Sequence, residues 1–279
     1  MGNCLVTKLR DVIDNPALPK LGTIRFTLEV GSTPTRNNVF HATENNKSLL
    51  TIISGPVGGT IKAVREPSSS DVDKGTSFYL DISLDSYTFS VPGTYVIEIT
   101  NKYFIKTFRV TELITCNTEE FKSLSALQGT LTLSGPGVTG KLKDLIKNTI
   151  TEYVFTRLNV SGSLTDFAGR NISTIICTSL ELMTGDISVF SGNQSLTVLA
   201  LNGSFNVAGS ISQINNIPNL TNFQCAGDPK ITGSLADLLN NGALINPKLN
   251  TLVVTNTNNI TKNDSDLNTL RSLGVNVVL

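Results

Sequence analysis

Residues Gly135 to Leu142 read G-P-G-V-T-G-K-L, which reproduces the phosphate-binding spacing G-x-x-x-x-G-K-[ST] at every position but the last. Such a loop needs glycine backbone to present N–H groups to phosphate, a lysine to reach the β- and γ-phosphates, and a hydroxyl to hold Mg²⁺. Leu142 supplies no hydroxyl, so the chemistry fails at its metal ligand. His41 is the only histidine, which rules out a histidine dyad, triad or multi-histidine metal site within one chain and leaves a surface residue as the expectation. Asp264 and Asp266 could form a carboxylate pair, but no glycine-containing twelve-residue calcium loop surrounds them, and solvation or helix capping is expected instead. Cys4, Cys116, Cys177 and Cys225 never approach C-x-x-C spacing, so zinc and redox motifs find no support. No catalytic, cofactor-binding or metal-ligating residue is assigned, and the chain is read as non-enzymatic.

The elements that carry these residues follow a repeat. The glycines Gly140, Gly162, Gly185, Gly209 and Gly233, with Lys262 in the sixth place, step by 22, 23, 24, 24 and 29 residues. Two positions before each stand Val138, Val160, Met183, Val207, Ile231 and Ile260. Two after come Leu142, Leu164, Ile187, Ile211 and Leu235, then Asp264. Leu145, Phe167, Phe190, Ile214, Leu238 and Leu267 follow five after. Upstream, short β-like steps end at Leu133, Phe155, Cys177, Leu201, Cys225 and Val254. Lys141 falls in a column otherwise held by Ser163, Asp186, Ser210 and Ser234, so the phosphate-loop match is a coincidence laid over a turn glycine and a core leucine.

The stretches LTVLALNGSFNVAGSI and LNTLVVTNTNNITK resemble the leucine-rich-repeat family pattern L-x-x-L-x-L-x-x-N-x-L, and the glycine followed by x-[IL] resembles its plant-type variant. Ser204 and Asp228 depart from the pattern at its usual Asn. The resemblance implies a solenoid of about six units over residues 116–279, lengthened near NNGALINPK. Cys177 and Cys225 share a column two units apart, too far for a disulfide between stacked strands, and are expected as buried thiols.

Residues 1–115 lack the repeat and alternate with period two. In TIRFTLEV, Ile24, Phe26, Leu28 and Val30 share one face, the pattern of a half-buried strand. TYVIEIT-NK-YFIKTFRV predicts two strands joined by a tight turn at Asn101 and Lys102, SGPVGG a turn, and SSSDVDKG a loop. The expected fold is mainly β: an antiparallel sandwich of about seven strands over residues 1–115, then the solenoid. VPGTYVIEIT is similar to late strands of immunoglobulin-like modules. Residues 118–121 are expected to begin a short helix capping the solenoid.

Zero net charge with 16% charged residues offers no field for nucleic acid, and no apolar run is long enough to insert as a membrane helix. The opening MGNCLVTKLRDV reads as neither a secretory nor a lipoprotein signal. The triplets at Asn159, Asn171, Asn193, Asn202, Asn219 and Asn259 read as polar turns rather than glycosylation sites. CLVTKLRDVIDNPALPKLGTIRFTLEV followed by an Asn/Thr-rich solenoid resembles structural proteins of tailed phages of gut Bacteroidales, of the crAss-like kind. That resemblance implies a virion component assembled in host bacterial cytoplasm, docking through the first domain in the tail, collar, fibre or head decoration. Its expected partners are other virion proteins, further copies of itself as a homo-oligomer, or a host surface protein or glycan. The alternative is a bacterial cell-surface or secreted leucine-rich-repeat adhesin.

Overall fold

The computed structural model describes residues 22–32, 38–42, 48–64, 71–80 and 86–279. Cys4 and the opening segment that carries the phage resemblance up to residue 21 lie outside them. The chain divides into two compact units, Met1–Leu127 and Gln128–Leu279.

In the first unit the alternating strands form two antiparallel sheets. One has the order Ser77–Tyr79, Leu49–Ser54, Gly93–Ile99, Ile24–Val30, Ile105–Asn117 and Val39–Ala42. The other has the order Asp71–Gly75, Ile61–Val64 and Ser86–Phe89. Ile24, Phe26, Leu28 and Val30 are buried, as period-two alternation requires. Phe26, Phe40, Phe108 and Phe121 pack with ring centroids 5.1 to 5.9 Å apart, three of the four contacts edge-on, the geometry that the aromatic quadrupole favours. Residues Thr118–Phe121 form the expected short helix, a 3₁₀ turn capped by the Asn117 side chain, and its Phe121 joins this aromatic cluster.

Two expectations are corrected here. Strands Gly93–Ile99 and Ile105–Asn117 do not form a hairpin, because Ile24–Val30 lies between them and pairs with both. The connection is a left-handed Asn101 followed by a 3₁₀ turn over Lys102–Phe104, which carries the chain past the intervening strand. Alternation alone specifies a strand's faces but not its neighbours. Within SSSDVDKG, residues 71–75 form a strand paired with Ile61–Val64, where a loop was expected; residues 68–70 lie outside the described ones.

The second unit is a parallel β-solenoid with a leucine-rich-repeat period. Its main sheet stacks Gly129–Ser134, Ile150–Thr156, Thr174–Thr178, Val198–Ala200, Asn222–Gln224, Thr251–Val253 and Asn276–Val278, every pair parallel and, apart from a shift between Gly129 and Thr130, in unbroken register. A second, staggered ladder runs through Val138–Lys141, Asn159–Ser163, Met183–Asp186, Val207–Ser210, Ile231–Ser234 and Ile260–Thr261. A short helical turn follows each of the latter strands, and the last is a full helix, Asp264–Ser272. All the apolar columns of the repeat are buried. No turn could bury its apolar side without the next, so stacking is the source of stability. The longer fifth step holds a small hairpin, Leu239–Asn240 against Ala243–Leu244, turning at Asn241 and Gly242, both with positive φ. That Asn-Gly turn is the one whose twist matches a two-residue hairpin.

Candidate functional site

The phosphate-loop lookalike folds as part of the scaffold. Val138–Lys141 is a strand in parallel register with Asn159–Ser161, so the half of the motif that holds its second glycine and lysine is laid out straight in a ladder. Lys141 sits at the position that precedes each helical turn. In the other turns this position is an N-cap: Ser163, Ser210 and Ser234 form reciprocal capping boxes with Asp166, Gln213 and Asp237, and Asp186 accepts from the Ser188 amide. A lysine has no acceptor with which to do this.

The repeat glycines sit where consecutive turns touch. A Cβ at Gly209 would lie 2.5 Å from both Ile187 Cγ1 and Gln213 Oε1, and one at Gly162 2.4 Å from Leu142 Cβ. At Gly233 the obstacle is Ile211 Cγ2 at 2.8 Å, and at Gly185 it is the Ser163 hydroxyl at 2.9 Å. Gly140, Gly185, Gly209 and Gly233 also hold φ between 115° and 138°, which side chains disfavour. Beside them, the hydroxyls of Ser161, Thr184 and Thr232 donate to the glycine carbonyl of the preceding turn. These residues build the solenoid and present no reactive group.

Other candidates also resolve into structure. The backbone of His41 pairs with Thr107 in strand Val39–Ala42; its side chain lies outside what is described. Asp264 and Asp266 occupy the first turn of the last helix, where negative charge opposes the positive end of the helix dipole, and Asp266 accepts from the Asn263 amide at 3.3 Å. Cys116, Cys177 and Cys225 are free thiols, each pushed up to about 12 by burial, which keeps them protonated and unreactive. Asn residues of the turns stitch neighbours together: Asn206 donates to the Glu181 carbonyl, Asn219 to that of Gln194 and Asn259 to that of Pro229. Among the described residues no cluster of three or more His, Cys, Asp or Glu side chains could hold a metal.

What remains is surface. The outward positions of the main sheet form three columns: Thr130, Glu152, Thr174, Val198, Asn222, Thr251; then Thr132, Val154, Ile176, Ala200, Gln224, Val253; then Ser134, Thr156, Thr178. Glu152 is the only charge among them, and it accepts the Thr130 hydroxyl at 2.7 Å. From Thr174 onward the side chains of the first two columns are half-buried except Ala200, which is covered by its neighbours. From Thr174 onward the sheet thus presents a broad, uncharged ridge of β-branched and amide side chains, spaced by the interstrand distance of about 4.8 Å. An open groove of about 370 Å³ also lies between successive loop corners, lined by Gly169, Arg170, Asn171, Gly192, Asn193 and Gln194 among others. Arg170 is already committed there, to the Asp166 carbonyl and to Asn148.

No protein-family model matches the chain, and no curated protein matches it. Among solved structures it is similar to an internalin, InlF, from Listeria monocytogenes, with 15% identity, a TM-score of 0.38, and coverage of 57% of this chain and 49% of that one. The chain thus spans about half the length of that internalin. No helix among the described residues is long and apolar enough to cross a membrane, which leaves membrane-spanning strands unaddressed.

Proposed function

We propose that the chain is a non-enzymatic interaction protein that binds a protein partner through the main sheet of its solenoid, as a bacterial surface or secreted adhesin does. The observation that carries this reading is the uncharged outward ridge around Thr174, Ile176, Thr178, Asn222, Gln224 and Val253. Desolvating such a face costs little, because it holds hydroxyl and amide groups that re-pair with a partner and no unpaired charge. A rigid repeat face binds by many modest contacts rather than one deep pocket. The repeated geometry of the turns is used for packing and capping.

For the first unit we propose a docking role on an immunoglobulin-like sandwich. Its support is local: the Tyr95 hydroxyl donates to the Val91 carbonyl at 2.8 Å, a tyrosine-to-backbone tie of the kind found at the corners of such sandwiches, and its ring packs on Phe89 of the other sheet at 4.7 Å. The virion setting rests on the resemblance of the opening residues, and the comparisons do not support it. Fractionation of producing cells with mass spectrometry separates the settings: recovery in the surface or secreted fraction is expected, and stoichiometric copies in purified phage particles would replace the adhesin reading. With cells that bind the full chain, Ile176→Lys should abolish binding while Thr232→Lys, on the second ladder, should not. Equal loss from both would exclude the ridge.

A further inference from the structure

From the second main-sheet step onward, three residues after its last core position lies a column facing the interior: Leu158 and Leu180 in the earlier turns, then Ser204, Asp228 and Thr257. All five are at most 2% exposed. The hydroxyls in this column donate to backbone carbonyls, Ser204 to Cys177 and Thr257 to Val254. Asp228 stands between them with neither carboxyl oxygen partnered. The Ser204 amide faces it, but that amide is bound to the Leu201 carbonyl at 3.1 Å.

The flanking side chains of this column act as donors, and a carboxyl group can do the same only when protonated. A bare carboxylate in this place would be desolvated, and the Ser204 amide that favours its charge is already bound to the Leu201 carbonyl. The charged and titratable groups around it do not relieve this. Cys225 in the same turn is a buried thiol whose own ionisation Asp228 opposes. Lys262 of the next turn donates its ammonium to the Val254 carbonyl at 2.8 Å, and Lys230 donates to Asn206.

We propose that Asp228 is a pH-sensitive latch: protonated, it lets the last turns of the solenoid close, and ionised, it loosens the turns that contain Ser204, Asp228 and Thr257. Burial pushes its carboxyl from 3.8 up to about 7, in the direction that this geometry demands. Between those two values the folded chain keeps a proton that the unfolded chain has released. The contribution of Asp228 to stability is therefore fully present below about pH 4, falls as pH rises towards 7, and levels off above it, by about a thousandfold in the folding equilibrium constant across that window.

The test is carried out on the full chain. Carbon NMR of the Asp228 carboxyl should titrate near neutrality, and hydrogen exchange at residues 201–206, 225–231 and 254–260, corrected for intrinsic rate, should rise at least tenfold between pH 5.5 and pH 8. Asp228→Asn, which supplies a donor at every pH, should remove that rise, and Asp228→Ser, copying Ser204, should do the same. An Asp228 midpoint near 4, or the same pH-dependent exchange in wild type and in both variants, would overturn the proposal. The direct titration decides it even if neither variant folds.

Discussion

In the solenoid neighbouring main-sheet strands pair at a spacing of about 22 to 29 residues, whereas in the first unit Ile24–Val30 pairs with residues 93–99 and 113–115. The first arrangement is a sum of nearest-neighbour interfaces. The second closes long chain segments, so its contacts form together or not at all. Both units bury phenylalanines completely, yet the consequences of removing one should differ. Phe108→Ala strips the partner from Phe26, Phe40 and Phe121 at once. Phe155→Ala removes a ring whose one aromatic contact among the described residues is Tyr153. Each should cost about 3 to 5 kcal/mol by denaturant unfolding. Hydrogen exchange should separate them: protection lost across the whole six-stranded sheet in the first case, and in the second only across the mutated turn and its neighbours. Loss of equal extent in both would break the comparison.

The same contrast decides what could be read from the residues alone. A repeat names its own partners, so the buried columns at Val160, Leu164 and Phe167, and their equivalents, followed from spacing before any coordinates. Alternation names only faces. Ile24, Phe26, Leu28 and Val30 were legible as a buried row, but nothing in TYVIEITNKYFIKTFRV says that another strand, far upstream, will lie between its halves. Asp71–Gly75 was missed because a short strand of polar residues has the composition of a loop. The small hairpin at Asn241–Gly242 was legible in principle from its Asn-Gly pair, hidden by treating the extra residues as a plain insertion. The outward ridge at Thr174, Ile176 and Gln224 was not singled out, because the repeat's spacing marks the buried columns and not the face between them; Asp228, in the interior, was visible as a departure from the repeat. Its lack of a partner was not, since satisfaction of a buried carboxyl depends on where neighbouring hydroxyls and carbonyls point.

The repeat glycines sharpen the comparison at a smaller scale. Gly209→Ala must place a Cβ 2.5 Å from Ile187 of the previous turn at φ 138°, and should cost about 2 to 4 kcal/mol. Gly169, also at positive φ, has open space around its Cβ, so Gly169→Ala should cost about 1 kcal/mol, the backbone strain alone. A Gly209→Ala variant as stable as Gly169→Ala would mean that the turns can slide apart, contrary to a stack held by close approach.

The smallest expected effects come from single polar ties, one in each unit. Ser234 caps its helical turn by accepting from the Ala236 amide while Asp237 accepts from the Ser234 amide at 2.8 Å, so Ser234→Ala leaves an amide uncapped but accessible to water. Tyr95→Phe deletes a hydroxyl that closes the Val91 corner, with Gly55 and Gly59 pressed so close to the ring that a Cβ on either would approach within 2.8 Å. Each tie is worth about 1 kcal/mol by the usual net value of a cap or hydrogen bond. Their effects should be distributed differently. Loss of the Ser234 cap should appear as faster exchange confined to residues 234–238. Loss of the Tyr95 tie should lower the unfolding midpoint of the whole first unit with no local signature, because Tyr95 bridges two sheets that unfold together. A Tyr95→Phe variant whose exchange rises only at residues 91–95 would show that the first unit, too, unfolds piecewise, and the distinction between a sum of turns and a single cooperative sheet pair would fail.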